Sequence, residues 1–97
     1  LRIVAKNMAL YHHEWWNGTG YPEGLRGNDI PLEARSMAFI DVLDALVAPR
    51  CYKKTVAFDA AIEIIKNAAG TQFDPILSRI FMECVPALKE LYGTFNI

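Results

Sequence analysis

The stretch Pro31-Leu-Glu-Ala-Arg-Ser-Met-Ala-Phe-Ile-Asp-Val-Leu-Asp-Ala-Leu-Val-Ala48 decides the fold of this 97-residue chain. Proline suits the first turn of a helix, and Asn28 and Asp29 stand just before it as candidate caps. The second half of the stretch has no continuous polar face, and a helix that is apolar nearly all round is normally buried. The sequence therefore predicts a buried central helix over 31–48, which ends before Pro49.

Helical segments are also predicted on both sides of this stretch. Apolar positions at three- and four-residue spacing predict a first helix over 1–16. Four glycines mark 17–30 as an irregular but ordered loop. A third helix is predicted over 57–69, with a glycine directly after it as the C-terminal stop. The central helix is therefore expected to pack between neighbours on both sides.

Two prolines punctuate the last part of the chain. Asp74-Pro75 supplies a cap and a first turn for a fourth helix, and Pro86 predicts the start of a short last helix. No segment shows the alternation of apolar and polar residues that is typical of strands. The predicted fold class is therefore all-α, a helical bundle.

Composition limits the classes of protein that remain. The chain fits one domain at most, and its 53% of hydrophobic residues predicts an uncovered face: a partner surface, a homodimer interface or a divided domain. A net charge of -1 gives no electrostatic case for a nucleic acid polymer. No apolar run reaches the ~18–20 residues of a membrane span, and no signal peptide is visible. With Cys51 and Cys84 interpreted as free thiols, we expect a cytoplasmic protein.

The segment from His12 to Pro22 combines adjacent histidines, an acid, two tryptophans and a Gly-x-Gly-Tyr-Pro turn. Neutral imidazoles are common metal ligands. Adjacent helical residues point about 100° apart, so His12 and His13 cannot chelate one ion as easily as an i, i+4 pair, but each could serve a different ion of a two-metal site. The alternative is that a histidine on an apolar helix face is a core residue with one hydrogen bond. Two histidines and one aspartate are too few ligands for two ions, so others must come from elsewhere.

Asp41 and Asp44 stand inside the otherwise apolar helix. Carboxylates are rarely buried without a partner, and like charges three residues apart repel each other. A cation on that face would relieve both problems, more plausibly at Asp41 than at Asp44. The alternative is that one of them caps a neighbouring helix or pairs with Arg35 or Arg50.

A basic segment follows the central helix. Arg50, Lys53 and Lys54 are suited to contact phosphate oxygens, because arginine offers a bidentate fork and lysine a point charge. The same cations would also interact favourably with the C-terminal end of the central helix. The residues alone leave both interpretations open.

Several motifs in consistent order resemble the signature of the HD-GYP domain family, and they extend over nearly the whole chain. They are His12-His13-Glu14, Gly18-x-Gly20-Tyr21-Pro22, Gly24-Leu25, Ile30-Pro31, Glu33-Ala34-Arg35, Asp41-Val42-Leu43-Asp44-Ala45-Leu46, Arg50-x-Tyr52-Lys53-Lys54 and Gly70-Thr71-Gln72-Phe73-Asp74-Pro75. The resemblance implies an all-helical, metal-dependent phosphodiesterase, a hydrolase of bacterial signal transduction that acts on cyclic di-GMP. It also implies iron or manganese in a two- or three-metal cluster.

The resemblance assigns roles to individual residues. His12, His13 and Asp41 match the family's metal ligands. Tyr21 matches the tyrosine of the Gly-Tyr-Pro loop, which lies by the substrate and is implicated in contacts with diguanylate cyclase (GGDEF) domains. The basic positions that contact the dinucleotide phosphates are matched by Arg50 and Lys53.

The resemblance also has limits. It covers the C-terminal half or so of such a domain, and the His-Asp pair that gives the family its first two letters is absent from the sequence. Pro49 and Cys51 stand where the family has Asp and Pro. We therefore expect residues 1–97 to be the C-terminal part of a single HD-GYP domain, from a response regulator or sensor with an upstream receiver or sensory domain.

Two functional hypotheses follow from this interpretation. In the first, the chain belongs to an active phosphodiesterase, and the isolated chain has little or no hydrolytic activity because its ligand set is incomplete. In the second, the parent is a degenerate, non-catalytic interaction module that engages another signalling protein through the loop around Tyr21.

Overall fold

The computed structural model describes residues 1–48 and 56–95. Over these two ranges the fold consists of four α-helices, with no β-structure beyond one isolated bridge. The helices are α1 (Arg2–Tyr11), α2 (Leu32–Val47), α3 (Phe58–Asn67) and α4 (Pro75–Phe95). The all-α class is confirmed. None of the described helices combines the length and the hydropathy that crossing a membrane requires.

Helix α2 forms the centre of the core, as its apolar sequence predicts. Its buried positions recur mainly at four-residue spacing, and Leu43 is fully inaccessible. The Phe39 ring stacks between two aromatic rings, with centroids 4.6 Å from Phe73 and 5.0 Å from Phe81. Such aromatic pairs contribute about 0.5–1.5 kcal/mol each beyond the burial of their area. The core therefore fixes α2 against the turn before α4 and against α4 itself.

Helix α1 is shorter than predicted. It ends at Tyr11 rather than near Trp16, and none of its residues is buried. The reason is a tertiary contact: the side chain of Glu14 turns inward and accepts hydrogen bonds from the backbone of a later segment. Continuing the helix would carry this carboxylate away from those donors. His12 and His13 therefore lie in the turn that follows α1.

Helix α4 begins as predicted but does not end where predicted. The Asp74 carboxylate caps it, with Oδ1 2.8 Å from the Ile76 amide and 3.2 Å from the Leu77 amide. The expected break at Pro86 is wrong, because one helix runs from Pro75 to Phe95 with Pro86 inside it. Continuing the helix keeps the apolar side chains on both sides of the proline on the face that packs against the core, which offsets the missing amide.

A cluster around Arg35, here called the Arg35 hub, joins the glycine-rich loop to α2 and α4. The guanidinium donates to the Ile30 carbonyl oxygen (2.9 Å), to Asn28 Oδ1 (3.1 Å) and to Asp74 Oδ2 (2.8 Å). It also lies over the Trp16 ring, 6.0 Å from the centroid. The loop that follows the histidines is therefore held in place from its far end.

Candidate metal centre

The structure brings together three of the residues that the sequence singles out: His12, His13 and Asp41. Each offers one ligand atom, and these atoms all lie within 4.8 Å of one another. We call this set the ligand cluster. Within residues 1–48 and 56–95 no other group of three His, Cys, Asp or Glu side chains meets the same distance. Two of its members come from the turn after α1 and the third from the middle of α2.

His12 is held in one tautomer by a backbone contact. Its Nδ1 lies 2.8 Å from the Met8 carbonyl oxygen, which can only accept, so Nδ1 carries the proton. Its Nε2 then presents a lone pair, and it lies 4.0 Å from Asp41 Oδ2. Two electron-rich atoms facing each other at this distance are suited to a cation between them. A histidine that donates its other N–H to a backbone carbonyl is the usual arrangement for a metal ligand.

His13 lies beside His12 rather than on a separate face. The two ring centroids are 4.0 Å apart and tilted by 42°. The expected separation of about 100° assumed a continuing helix, and it does not apply because α1 ends at Tyr11. The rings therefore face a common region, which suits either one ion or two neighbouring ions.

The prediction that the two aspartates are buried is wrong. The Asp41 side chain is 42% exposed, and Asp44 is exposed as well. The pattern overstated their burial because the polar side of α2 is open beside the ligand cluster. Burial raises the pKa of Tyr92, and the charge of Asp44 nearby raises it further. Arg35, the suggested alternative partner, pairs with Asp74.

The donor set fits a divalent transition-metal cation. Imidazole nitrogen and carboxylate oxygen are ligands that such ions accept. His12 Nε2 and Asp41 Oδ2 lie 4.0 Å apart, and the three ligand atoms lie within 4.8 Å of one another. The three side chains would therefore be close enough to hold an ion together.

Tyr21 stands at the edge of the ligand cluster. Its ring stacks on His13, with centroids 4.9 Å apart and planes 16° apart, and its amide donates to the His13 carbonyl oxygen at 3.2 Å. Gly20 makes this approach feasible, because a Cβ there would overlap the His13 carbonyl oxygen and the Trp15 amide nitrogen. With 61% of its surface exposed, Tyr21 is accessible to a ligand or a partner.

Two residues of the site were not assigned roles from the sequence. Glu14 is 3% exposed and accepts two backbone hydrogen bonds from the glycine-rich loop over 17–30, here called the Tyr21 loop. Arg35 donates to the Ile30 carbonyl oxygen at the far end of the same loop. The sequence did offer one indication for Glu14: it is an acid shortly before a glycine-rich loop, whose free backbone amides need acceptors. Nothing comparable points to the Asp74 partner of Arg35, which lies 39 residues away in the sequence.

The predicted phosphate-contacting residues, Arg50 and Lys53, lie outside the described residues, as does Cys51. The second cysteine, Cys84, is a free and exposed thiol.

The chain is similar in sequence to a known domain family and to bacterial phosphodiesterases. A family model described as an HD domain matches residues 4–77. A probable cyclic di-GMP phosphodiesterase of Vibrio cholerae is 49% identical over 79 residues, which is 81% of this chain and 18% of that protein. The cyclic di-GMP phosphodiesterase response regulator RpfG of Xanthomonas campestris is 42% identical over 93 residues, which is 96% of this chain and 25% of that protein.

A solved structure matches as well. The crystal structure of the cyclic GMP-AMP-specific phosphodiesterase V-cGAP3 of V. cholerae superimposes with a TM-score of 0.61 and 29% sequence identity. The match covers 91% of this chain and 21% of that one. The chain therefore spans about a quarter or less of the length of these proteins.

Proposed function

This chain belongs to the HD domain family, of the HD-GYP type, and from this premise we propose that it is the C-terminal part of a metal-dependent phosphodiesterase that hydrolyses cyclic di-GMP. The observation that carries the proposal is the convergence of His12, His13 and Asp41 from separate elements. The names of the relatives support the reaction class and the substrate.

The ligand cluster would hold the divalent metal on which an HD domain depends, and we propose iron or manganese in a cluster of two or three ions. Bound ions supply Lewis-acid polarisation of the phosphoryl oxygen and activation of water at neutral pH. Three side chains are too few ligands for two ions, so the remaining ligands would come from a part of the parent outside residues 1–97. Residues 1–97 would thus be the C-terminal part of a single domain.

Other groups of the chain have separate proposed roles. The Met8 carbonyl keeps the Nε2 lone pair of His12 directed at Asp41. Tyr21 offers an exposed aromatic face at the edge of the cluster, suited to stacking on a guanine base. Arg50 and Lys53 would contact the phosphates, since arginine and lysine are the side chains that recognise them.

Location and partners follow from this function. A second messenger is hydrolysed where it is made, so we propose a bacterial, cytoplasmic protein with a receiver or sensory domain upstream. The Tyr21 loop would contact GGDEF domains. A homodimer through α1 and α2 stays a prediction, supported by exposed apolar residues such as Ile3, Leu10 and Ile40. A single monomeric species in light scattering would contradict it.

The test of this function is hydrolysis by the full-length parent protein. Incubated anaerobically with cyclic di-GMP and Mn²⁺ or Fe²⁺, the parent should turn the substrate over. The isolated 97-residue chain should show little or no turnover, because its ligand set is incomplete. No hydrolysis by the metal-loaded parent would contradict the proposal, and clear turnover by the isolated chain would contradict the incomplete ligand set.

The second candidate function is a non-catalytic interaction module. It is favoured by the 61% exposure of Tyr21 on a loop that the rest of the chain holds firmly, as a docking surface would require. Metal analysis of the purified parent separates the two functions. Bound iron or manganese supports the enzyme, and a metal-free protein that still binds a GGDEF domain supports the module.

A further inference from the structure

Glu14 is a buried acid whose role neither the ligand cluster nor the substrate explains. It directly follows the two histidines and is 3% exposed. One carboxylate oxygen accepts from the Glu23 amide at 2.8 Å, and the other accepts from the Leu25 amide at 2.9 Å. Both oxygens are therefore directed into the loop, and neither belongs to the set of ligand atoms.

The two amides belong to the segment over 22–25, which follows Tyr21 directly. A carboxylate that accepts from backbone N–H groups forms charge-assisted bonds, roughly twice as strong as bonds between neutral groups. Burial strengthens them further, because the local dielectric constant is low. The segment over 22–25 is thus attached to the residue that lies next to His13.

The segment before Tyr21 is held as well. Gly20 packs on the backbone of residues 13–15, and the Tyr21 amide donates to the His13 carbonyl oxygen. The Glu14 contacts hold the segment after Tyr21, and these contacts hold the segment before it. Tyr21 lies between them.

We propose that Glu14 is a positioning residue that keeps Tyr21 stacked on His13, acting on the loop and not on the metal. This inference rests on the proposed function for the place of Tyr21 beside the substrate. If Glu14 no longer held the loop, the Tyr21 ring would leave the stack at 4.9 Å and lose its fixed place at the edge of the site. The histidines and Asp41 would keep their ligand atoms in place.

The test compares the full-length parent protein with its Glu14→Gln variant and with a matched Glu63→Gln control. Glutamine keeps the size of the side chain but turns an NH₂ group toward one of the two amides. Glu63 is exposed on α3, so its substitution removes a charge without touching the loop. Hydrogen exchange is followed at the Glu23 and Leu25 amides, together with Mn²⁺ affinity, kcat and KM.

In Glu14→Gln we expect these two amides to exchange at least about tenfold faster. The KM for cyclic di-GMP should rise by about tenfold, while kcat and Mn²⁺ affinity stay within about threefold of the wild type. A purely structural role would instead move metal affinity and kcat together with the exchange rates. Glu63→Gln should match the wild type throughout.

Unchanged exchange at both amides would overturn the proposal, and so would weakened Mn²⁺ binding in Glu14→Gln. If that variant fails to fold, exchange in the wild type decides, because the two amides must be protected relative to a free peptide of residues 18–27. A parent that does not hydrolyse cyclic di-GMP would contradict the proposed function, while the exchange and Mn²⁺ data would still decide whether Glu14 holds the loop.

Discussion

The Arg35 hub and the ligand cluster lie on the same helix and differ in how their polar atoms are satisfied. Arg35 and Asp41 are six residues apart on α2, about 9 Å along its axis. Arg35 finds a carboxylate, an amide oxygen and a carbonyl within the chain, and its side chain is only 14% exposed. In the ligand cluster, His12 Nε2 and Asp41 Oδ2 face each other at 4.0 Å in an open setting.

The difference indicates that the polar groups of the Arg35 hub stabilise the fold, whereas those of the ligand cluster are arranged to bind a cation. The hub is complete, since each ionised group has an opposite charge or a hydrogen-bond partner. The cluster instead directs two imidazole rings and a carboxylate toward one region, an arrangement suited to binding a cation. Substitutions in the hub should therefore change folding, and substitutions in the cluster should change metal binding and catalysis.

The largest effect on stability is expected from Arg35→Met. The substitution leaves the Asp74 carboxylate, whose side chain is 6% exposed, without its cation. Breaking a buried pair in this way costs about 3–5 kcal/mol. The free energy of unfolding, measured by urea denaturation, should fall by that amount. The matched control is Lys89→Met, which breaks the Lys89–Asp59 pair.

That control pair has side chains 60% and 74% exposed, so its loss should cost at most about 1 kcal/mol. Equal losses in the two variants would show that the hub does not stabilise the fold more than a surface pair does. That result would contradict the assignment of the Arg35 hub as a stabilising cluster.

The second effect concerns catalysis and separates the two aspartates of α2. Asp41→Ala removes a ligand atom and should lower kcat/KM of the parent at least about 100-fold, since a bound metal contributes several kcal/mol. Asp44→Ala removes an exposed carboxylate three residues away and should stay within about twofold of the wild type. Equal losses at both positions would mean that the charge of the helix matters rather than ligation.

A smaller effect is expected from Gly20→Ala, which tests the contact between the Tyr21 loop and the histidine turn. The added Cβ overlaps backbone atoms of His13 and Trp15, and forcing atoms into packed space costs about 1–3 kcal/mol. Thermal unfolding should therefore occur at lower temperature. The control is Gly93→Ala, where a Cβ meets nothing and helix propensity favours alanine by about 0.5–1 kcal/mol. Destabilisation by Gly93→Ala, or none by Gly20→Ala, would contradict this description of the loop.

The sequence predicted the elements whose pattern is local and strong. The apolar run predicted α2 to within one residue at each end, and Asp74 predicted the start of α4. The end of α1 was mispredicted because the buried contacts of Glu14 outweigh the helical periodicity of residues 12–16. Pro86 was misjudged because packing of one continuous apolar face offsets its missing hydrogen bond.

The candidate site was predictable as a list of residues but not as an arrangement. Residue types and the family resemblance selected His12, His13 and Asp41, which the structure brings together. The partner of Arg35 and the amides held by Glu14 depend on contacts between segments 9 to 39 residues apart, which no local pattern encodes. Positioning residues of this kind become visible only in the folded chain.

The most direct test of metal binding by the ligand cluster compares the Mn²⁺ binding isotherms of the parent protein and of its His13→Ala variant. His13 is exposed, so its substitution removes a ligand atom without opening a cavity in the core, although it also removes the ring on which Tyr21 stacks. We expect the affinity of His13→Ala for Mn²⁺ to fall at least about 100-fold, and that of Asp44→Ala to match the wild type. A His13→Ala isotherm that superimposes on that of the wild type would contradict the assignment of this cluster as a metal centre.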